Sequence, residues 1–184
     1  MRWGFEHMQA EEGSSIYLRL STRPLDQRVR QIDESLAAEI VAGAYWLVEP
    51  RDGAELAIVC CGAVTPEALQ AHEALVDDLP GAGLLVVTSP DRLHADWLTS
   101  RRGVGRDSHI ARLLTPLAAD AALVTVIDAH PATLSWLGGV AQHRIYPLGV
   151  DRFGQSGDLP DLYRTYGLDA DAILDAAARA CLQR

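Results

Sequence analysis

A chain of 184 residues, of which 48% are hydrophobic and 22% charged, suits one globular domain with a sizeable core. The formal net charge of −9 disfavours nucleic acid as a partner, because binding to a phosphate backbone depends on clustered positive charge. All sixteen basic residues are arginines, so the chain supplies neither a Schiff-base lysine nor the lysine of a phosphate-binding loop.

Cysteine usage and hydropathy predict where the protein works. Cys60, Cys61 and Cys181 are an odd number without the spacing of a zinc site, which is typical of a protein in the reducing cytoplasm. The first ten residues do not resemble a signal peptide, and no run of 18 apolar residues is present. The sequence therefore predicts a cytoplasmic protein without a membrane span.

The first predicted element is an isolated strand, Ser15–Pro24 (SIYLRLSTRP). A polar, arginine-rich stretch separates it from the next apolar segment, and a lone strand does not stay folded by itself. We therefore expect residues 1–23 to be the remnant of a preceding domain and residues 24–41 to be a linker. The remaining residues, 42–184, are expected to form the main domain.

That domain is predicted to begin with an antiparallel edge strand at Tyr45–Val48. The short link that follows, Pro50-Arg51-Asp52-Gly53, favours a hairpin with the next strand.

Three segments then share one pattern, in which a continuously apolar run is followed by a polar residue, a proline and a helix-like stretch. The apolar runs are Ala57–Val59, Leu84–Val87 and Leu123–Ile127. Continuous apolar runs indicate strands that are covered on both faces in a parallel sheet, and proline suits the first turn of a helix. With a further strand at 144–150, the pattern predicts an α/β fold: a three-layer α/β/α sandwich whose mostly parallel sheet has an antiparallel edge strand.

In such a sheet, ligands bind beyond the carboxyl ends of the strands. The side chains and turns expected at that edge are Cys61, Gly62, Thr65, Ser89, Asp128, His130 and Gly149–Asp151. The first turn contains a single glycine, which disfavours a dinucleotide site. His130 is either a capping or interface residue or an acid–base group, and no nucleophile accompanies it.

The last fifty residues of the domain carry a recognisable order of motifs. Leu123–Leu174 reads as a strand, a helix and a strand, followed by the loop Gly149–Ser156 (GVDRFGQS) and two helices. This order resembles the end of transketolase-type proteins. Gly4–Gln27 resembles the last helix and strand of the pyrimidine-binding domain in the homodimeric pyruvate dehydrogenase decarboxylating component. Ala42–Leu69 is similar to the start of that family's carboxy-terminal domain.

The resemblance implies an enzyme that holds thiamine diphosphate and magnesium between two other domains. The family's metal motif, Gly-Asp-Gly, is absent from this chain, and its activating glutamate lies in a part of the enzyme that precedes this sequence. We therefore expect no catalytic, cofactor-binding or metal-binding residue here, and no activity of the chain alone. The family's carboxy-terminal domain packs the dimer and walls the substrate entrance. The implied partners are a second copy, the cofactor-binding domains and an acyltransferase core of a multienzyme complex.

Two residues are candidates for the substrate channel, Arg23 and His130. An arginine at the exit of the first strand can pair with a carboxylate or phosphate, whereas the alternative is a surface arginine tied to Asp26 or Glu34. The substrate class stays open between pyruvate, another 2-oxoacid and a ketose. Two other functions also stay open: a free-standing subunit of a split enzyme, and an unrelated flavodoxin-like ligand-binding domain.

Overall fold

The computed structural model describes residues 2–26, 31–103 and 107–183, and these residues form five strands and nine helices. The strands are β1 (Ala44–Val48), β2 (Ala54–Cys61), β3 (Gly83–Val87), β4 (Leu117–Ile127) and β5 (Arg144–Leu148). The helices are α1 (Arg2–Gln9), α2 (Glu34–Ala42), α3 (Thr65–Leu75), α4 (Pro90–Arg102), α5 (His109–Leu114), α6 (Ala132–Ser135), α7 (Gly138–Ala141), α8 (Leu159–Tyr166) and α9 (Ala170–Leu182). None of the helices in these ranges is long and apolar enough to cross a membrane.

One five-stranded sheet organises the domain, with the strand order β1-β3-β2-β4-β5. The β3–β2, β2–β4 and β4–β5 pairs are parallel, and β1 runs antiparallel to β3 at one edge. A core of α3, α8 and α9 side chains covers one face of the sheet, and a core of side chains from α4, α5 and the α6–α7 segment covers the other. The predicted three-layer α/β/α sandwich with an antiparallel edge strand is therefore confirmed.

The central strands are apolar throughout because both of their faces are buried. Alternate residues of β2 enter opposite cores: Ile58 packs with the α3 and α9 side, and Val59 packs with the α4 and α5 side. Both residues are fully buried. A strand that is covered on both sides needs apolar residues at every position, which is why these runs do not alternate.

The predicted hairpin between β1 and β2 is wrong, because β1 pairs with β3 instead. The link after β1 runs past the start of β3, where Arg51 donates its backbone N–H to the Gly81 carbonyl at 3.0 Å. Gly83 makes this crossing possible, since a Cβ there would lie 2.7 Å from Cζ3 of Trp46. The hairpin prediction relied on the link alone and did not take this contact with β3 into account.

The predicted strand at Ser15–Pro24 is also wrong, since this segment belongs to no sheet among the described residues. A strand is defined by hydrogen bonds to a neighbouring strand, and its composition alone does not supply one. We name residues 13–26 the N-terminal strap. The expected linker 24–41 contains α2, which Asp33 caps by accepting a hydrogen bond from the Leu36 N–H at 2.8 Å. Residues 27–30 lie outside the described residues.

Candidate functional site

The N-terminal strap crosses the carboxyl edge of the sheet, where the sequence predicts a ligand site. Arg19 Nη2 donates a hydrogen bond of 2.7 Å to the backbone carbonyl of Asp128, directly after β4. Arg23 Nη1 donates one of 2.9 Å to the carbonyl of Ala63, directly after β2. The chain's own arginines thus occupy backbone acceptors at the ends of the two central strands.

Arg23 is held by Glu67, in the first turn of α3. Nη1 of Arg23 lies 2.9 Å from Oε2 of Glu67, and Nη2 lies 2.7 Å from Oε1. The two side chains are 22% and 16% exposed, so the pair is shielded from most of the solvent. The hydrogen bonds to Glu67 raise the pKa of Arg23, and partial burial works in the opposite direction. This bidentate geometry is the strong form of an arginine–carboxylate pair.

Tyr163 of α8 completes the surroundings of the guanidinium. Cζ of Arg23 lies 5.2 Å from the centre of its ring, and the ring is buried. Within the described part of the chain, the Tyr163 hydroxyl lies beside Arg23 without a hydrogen bond of ordinary geometry. Burial raises the pKa of this phenol, the negative charge of Asp128 raises it further, and Arg23 lowers it. We name Arg23, Glu67 and Tyr163 the clasp.

A shallow cavity of about 210 Å³ opens beside the clasp. It is lined by Arg23, Glu67, Gln70, Leu159, Pro160, Tyr163, Arg164, Asp169, Ala170 and Asp171. Two arginines and three carboxylates are among these residues, so the cavity as a whole does not favour an anion, and an anion there would depend on the arginines. Its volume admits a few waters or one small group such as a phosphate.

The hydrogen bond of His130 is local and does not involve the clasp. Its side chain is exposed, and Nδ1 accepts a hydrogen bond of 3.2 Å from the Ala132 N–H at the start of α6. This is the local capping arrangement. Among the described residues, no hydrogen bond joins His130 to Arg23 or to a partner of Arg23.

The other predicted edge residues satisfy their polar groups nearby. Thr65 donates its hydroxyl to the Gly62 carbonyl at 2.8 Å, and the Ser89 hydroxyl lies 2.8 Å from Oδ1 of Asp91. Burial raises the pKa of Cys61 to about 11, and Arg19 lowers it. This thiol is therefore not a nucleophile at neutral pH.

The sequence singles out Arg23 as a candidate, but it does not indicate the partners that Arg23 has in the structure. The expected partners, Asp26 and Glu34, are near in sequence, whereas Glu67 is 44 residues away. The position of Glu67 in the first turn of a helix indicates a favourable contact with the helix dipole and gives no sign of a distant arginine. Tyr163 carries no distinguishing pattern at all.

The arrangement orients a guanidinium beside a cavity that has the volume of a small polar group. Across residues 2–26, 31–103 and 107–183, no group of three or more His, Cys, Asp or Glu side chains is placed to hold a metal ion.

Several transketolases are similar to this chain in sequence or structure. Transketolase 2 of Xanthobacter flavus is 29% identical over 143 residues, which cover 77% of this chain and 19% of that protein. Transketolase from Leishmania mexicana superposes with a TM-score of 0.59 at 19% identity, covering 79% of this chain and 19% of its own. A split-gene transketolase, described as an inactive β4 tetramer, superposes with a TM-score of 0.50 at 19% identity, over 76% of this chain and 42% of its own.

The chain therefore spans about a fifth of the length of the first two of these proteins. A family model described as the transketolase-like TK C-terminal domain matches residues 43–169. This match begins one residue before β1 and ends just before α9, so it includes the whole sheet. The chain belongs to the family of transketolase-like C-terminal domains.

Proposed function

We propose that this chain is the non-catalytic C-terminal part of a thiamine-diphosphate-dependent enzyme, and that it packs the dimer and walls the substrate entrance. In this proposal, thiamine diphosphate and magnesium are bound by diphosphate- and pyrimidine-binding domains outside the 184 residues. The cofactor supplies the carbanion chemistry, and this chain supplies packing and substrate contacts. Its free cysteines suit a reducing compartment such as the cytoplasm.

The observation that carries the proposal is the strap across the carboxyl edge of the sheet. An independent α/β ligand-binding domain keeps that edge open for its ligand. Here Arg19 and Arg23 bind the backbone just beyond β4 and β2. Together with the family match, this argues against an unrelated flavodoxin-like ligand-binding domain.

A ketose phosphate is the substrate class that the relatives favour. The matched proteins are named transketolases, and the guanidinium of Arg23 has the geometry to pair with a phosphate. We therefore propose that the parent enzyme transfers ketol groups. Decarboxylation of pyruvate or another 2-oxoacid, with an acyltransferase core as partner, is the second branch of the same proposal.

Arg23 and His130 are the proposed contacts with the substrate channel. Arg23 lines the cavity beside the clasp, and His130 is exposed at the same edge of the sheet, after β4. An exposed imidazole can donate a hydrogen bond to a passing hydroxyl or anion, which would be a positioning role.

Self-association through the face of α4, α6 and α7 is a further part of the proposal. Trp136 stacks on Trp97 with ring centres 5.4 Å apart, and His94 lies 4.8 Å from Trp136. These aromatic side chains are half-buried, whereas Leu137 is part of the core. Aromatic side chains of this kind are enriched at protein interfaces. Light scattering should therefore give the mass of a dimer for the purified chain.

The alternative is a free-standing subunit of a split enzyme. The superposition on a split-gene transketolase favours this alternative, because there the matched part covers 42% of a naturally shorter chain. The reading frame upstream of the gene segment that encodes this chain distinguishes the fused enzyme from the split one. A continuous frame with both cofactor-binding domains supports a fused enzyme, and a separate adjacent gene supports a split one.

The proposal is tested by titrating the chain with thiamine diphosphate and magnesium, alone and after co-expression with the cofactor-binding domains. We expect binding and ketol transfer only in the co-expressed complex. Micromolar binding to the isolated chain would contradict the proposal, as would a complex that forms but turns over neither ketose phosphates nor 2-oxoacids.

A further inference from the structure

The guanidinium of Arg23 has one edge that its partners leave open. Nη1 uses both hydrogens, one towards Ala63 and one towards Glu67, and Nη2 uses one towards Glu67. An arginine has five N–H groups, so the Nε–H and the second Nη2–H remain. These two lie side by side on one edge of the plane, in the fork that matches a carboxylate or phosphate. Within the described residues, the hydrogen bonds of ordinary geometry from the Arg23 side chain go to Ala63 and Glu67, and the Tyr163 hydroxyl beside the guanidinium adds a weaker contact that raises the pKa of Arg23.

The strap by itself does not fix the position of this edge. Arg23 lies in a segment without helix or strand, and its neighbours Thr22 and Pro24 are exposed. An arginine side chain loses much rotamer freedom when it is held in one geometry, and a flexible backbone adds to that cost. The bonds to Glu67, on the rigid start of α3, therefore determine where the guanidinium points.

We propose that Glu67 is a positioning residue, which holds Arg23 end-on so that the open edge, beside the Tyr163 phenol, receives an oxyanion of the substrate. This inference rests on the proposed function, in which Arg23 contacts an anionic substrate. The occupant is defined by its chemistry, two oxygens of a carboxylate or phosphate. The cavity beside the clasp has room for such a group.

Glu67 has two opposite effects on such an oxyanion. Its negative charge weakens the attraction of Arg23 for an anion, and its hydrogen bonds orient the guanidinium. Orientation dominates here, because both oxygens of Glu67 are engaged at 2.7 and 2.9 Å, whereas the backbone carbonyl of Ala63 accepts a single hydrogen bond, of 2.9 Å. Variants of Glu67 that lose the geometry should therefore weaken substrate binding, even when they remove a repelling charge.

The experiment compares Glu67→Gln, Glu67→Asp and Arg23→Ala in the enzyme assembled from this chain and its cofactor-binding domains. Glu67→Gln keeps the length and loses the charge, and Glu67→Asp keeps the charge and loses the reach. We expect all three to raise KM for an anionic substrate on the order of tenfold with kcat nearly unchanged. Asp77→Asn, which removes an exposed charge just after α3, is the matched control and should leave KM unchanged.

Substrates distinguish the source of the oxyanion. If the open edge binds phosphate, KM rises for a ketose phosphate and not for the same ketose without phosphate. If it binds a carboxylate, KM rises for a 2-oxoacid. Either result supports the inference, and an equal rise for the uncharged ketose contradicts it.

Two results would overturn the role of Glu67 in different ways. If Arg23→Ala raises KM while Glu67→Gln lowers it or leaves it unchanged, Glu67 does not position Arg23, and the proposed function stands. If Arg23→Ala leaves KM unchanged, the substrate role of Arg23 is refuted together with that of Glu67.

A spectroscopic measurement on the 184-residue chain tests the clasp without any activity. Nitrogen-15 NMR should show resolved Nη–H signals for Arg23, because two carboxylate oxygens restrict rotation of the guanidinium. Glu67→Gln and Glu67→Asp should average those signals. Signals already averaged in the wild-type chain would overturn the inference, whatever the kinetics show.

Discussion

Replacing Gly83 by alanine tests the crossing of the β1–β2 link over the start of β3. A Cβ at this position would lie 2.7 Å from Cζ3 of Trp46 and 3.0 Å from Cβ of Pro50. Neither neighbour can move easily, since Trp46 is 8% exposed and its Nε1 donates a 3.0 Å hydrogen bond to the Leu113 carbonyl. Overpacking of this kind costs about 1–3 kcal/mol.

The same change also removes freedom from the unfolded chain, which by itself stabilises a protein by about 0.4–1 kcal/mol where the backbone is compatible. We therefore expect Gly83→Ala to lower the free energy of unfolding by about 1–2 kcal/mol, measured by urea denaturation at unchanged m-value. Gly81→Ala is the matched control, because its Cβ would meet Arg51 at an ordinary 3.6 Å. A Gly83→Ala chain as stable as the wild type would refute the crossing geometry.

Three further predictions concern a helix cap, a buried histidine and the thiols. Asp169→Ala should lower the free energy of unfolding by about 1 kcal/mol through loss of the α9 cap, and Asp169→Asn, which keeps an acceptor, should lose less; urea denaturation measures both. Burial lowers the pKa of His143, and the nearby backbone of Ala121 partly offsets this, so the folded chain holds the imidazole neutral. The free energy of unfolding should therefore fall as pH drops below about 6.5, where the unfolded chain takes up the proton. The melting temperature of a His143→Gln chain should depend less on pH between pH 8 and 5. Ellman's reagent at pH 8 should titrate exposed Cys181 at once, half-buried Cys61 more slowly and buried Cys60 only after unfolding, since burial raises the pKa of Cys60 to about 12 and that of Cys61 to about 11. Equally rapid reaction of all three thiols would contradict this order.

Most of the sheet could be predicted from the sequence because its central strands are buried on both faces. Continuous apolar runs such as Leu123–Ile127 are typical of strands that helices cover on both sides, and a proline after each run marks the start of a helix. The caps follow the same local logic: Asp169 caps α9, and Gly167 ends α8 in a left-handed conformation. These features depend on neighbours within a few residues, which a sequence displays directly.

The pairing partners and the clasp depend on residues far apart, and this is why they were not predicted. The β1–β2 link has the composition of a hairpin turn, but the space above Gly83 and the hydrogen bond between Arg51 and Gly81 direct β1 to β3. Glu67 has the position of a helix-dipole residue, and its pairing with Arg23 emerges only when the strap lies across the sheet. A single sequence contains no signal for such contacts.

The surface of the chain shows why a strand-like segment remains outside the sheet. Among the described residues, five of the nine large apolar side chains that are exposed lie on α1 and the strap: Phe5, Met8, Tyr17, Leu18 and Leu20. Not one residue between 2 and 26 enters either core, so among the described residues this segment is attached mainly by side-chain contacts such as those of Arg19 and Arg23. Apolar residues at this density are typical of a segment that is covered by other protein. The transketolases of Xanthobacter flavus and Leishmania mexicana are about five times as long as the part aligned here. The proposed neighbouring domains would therefore cover this apolar segment.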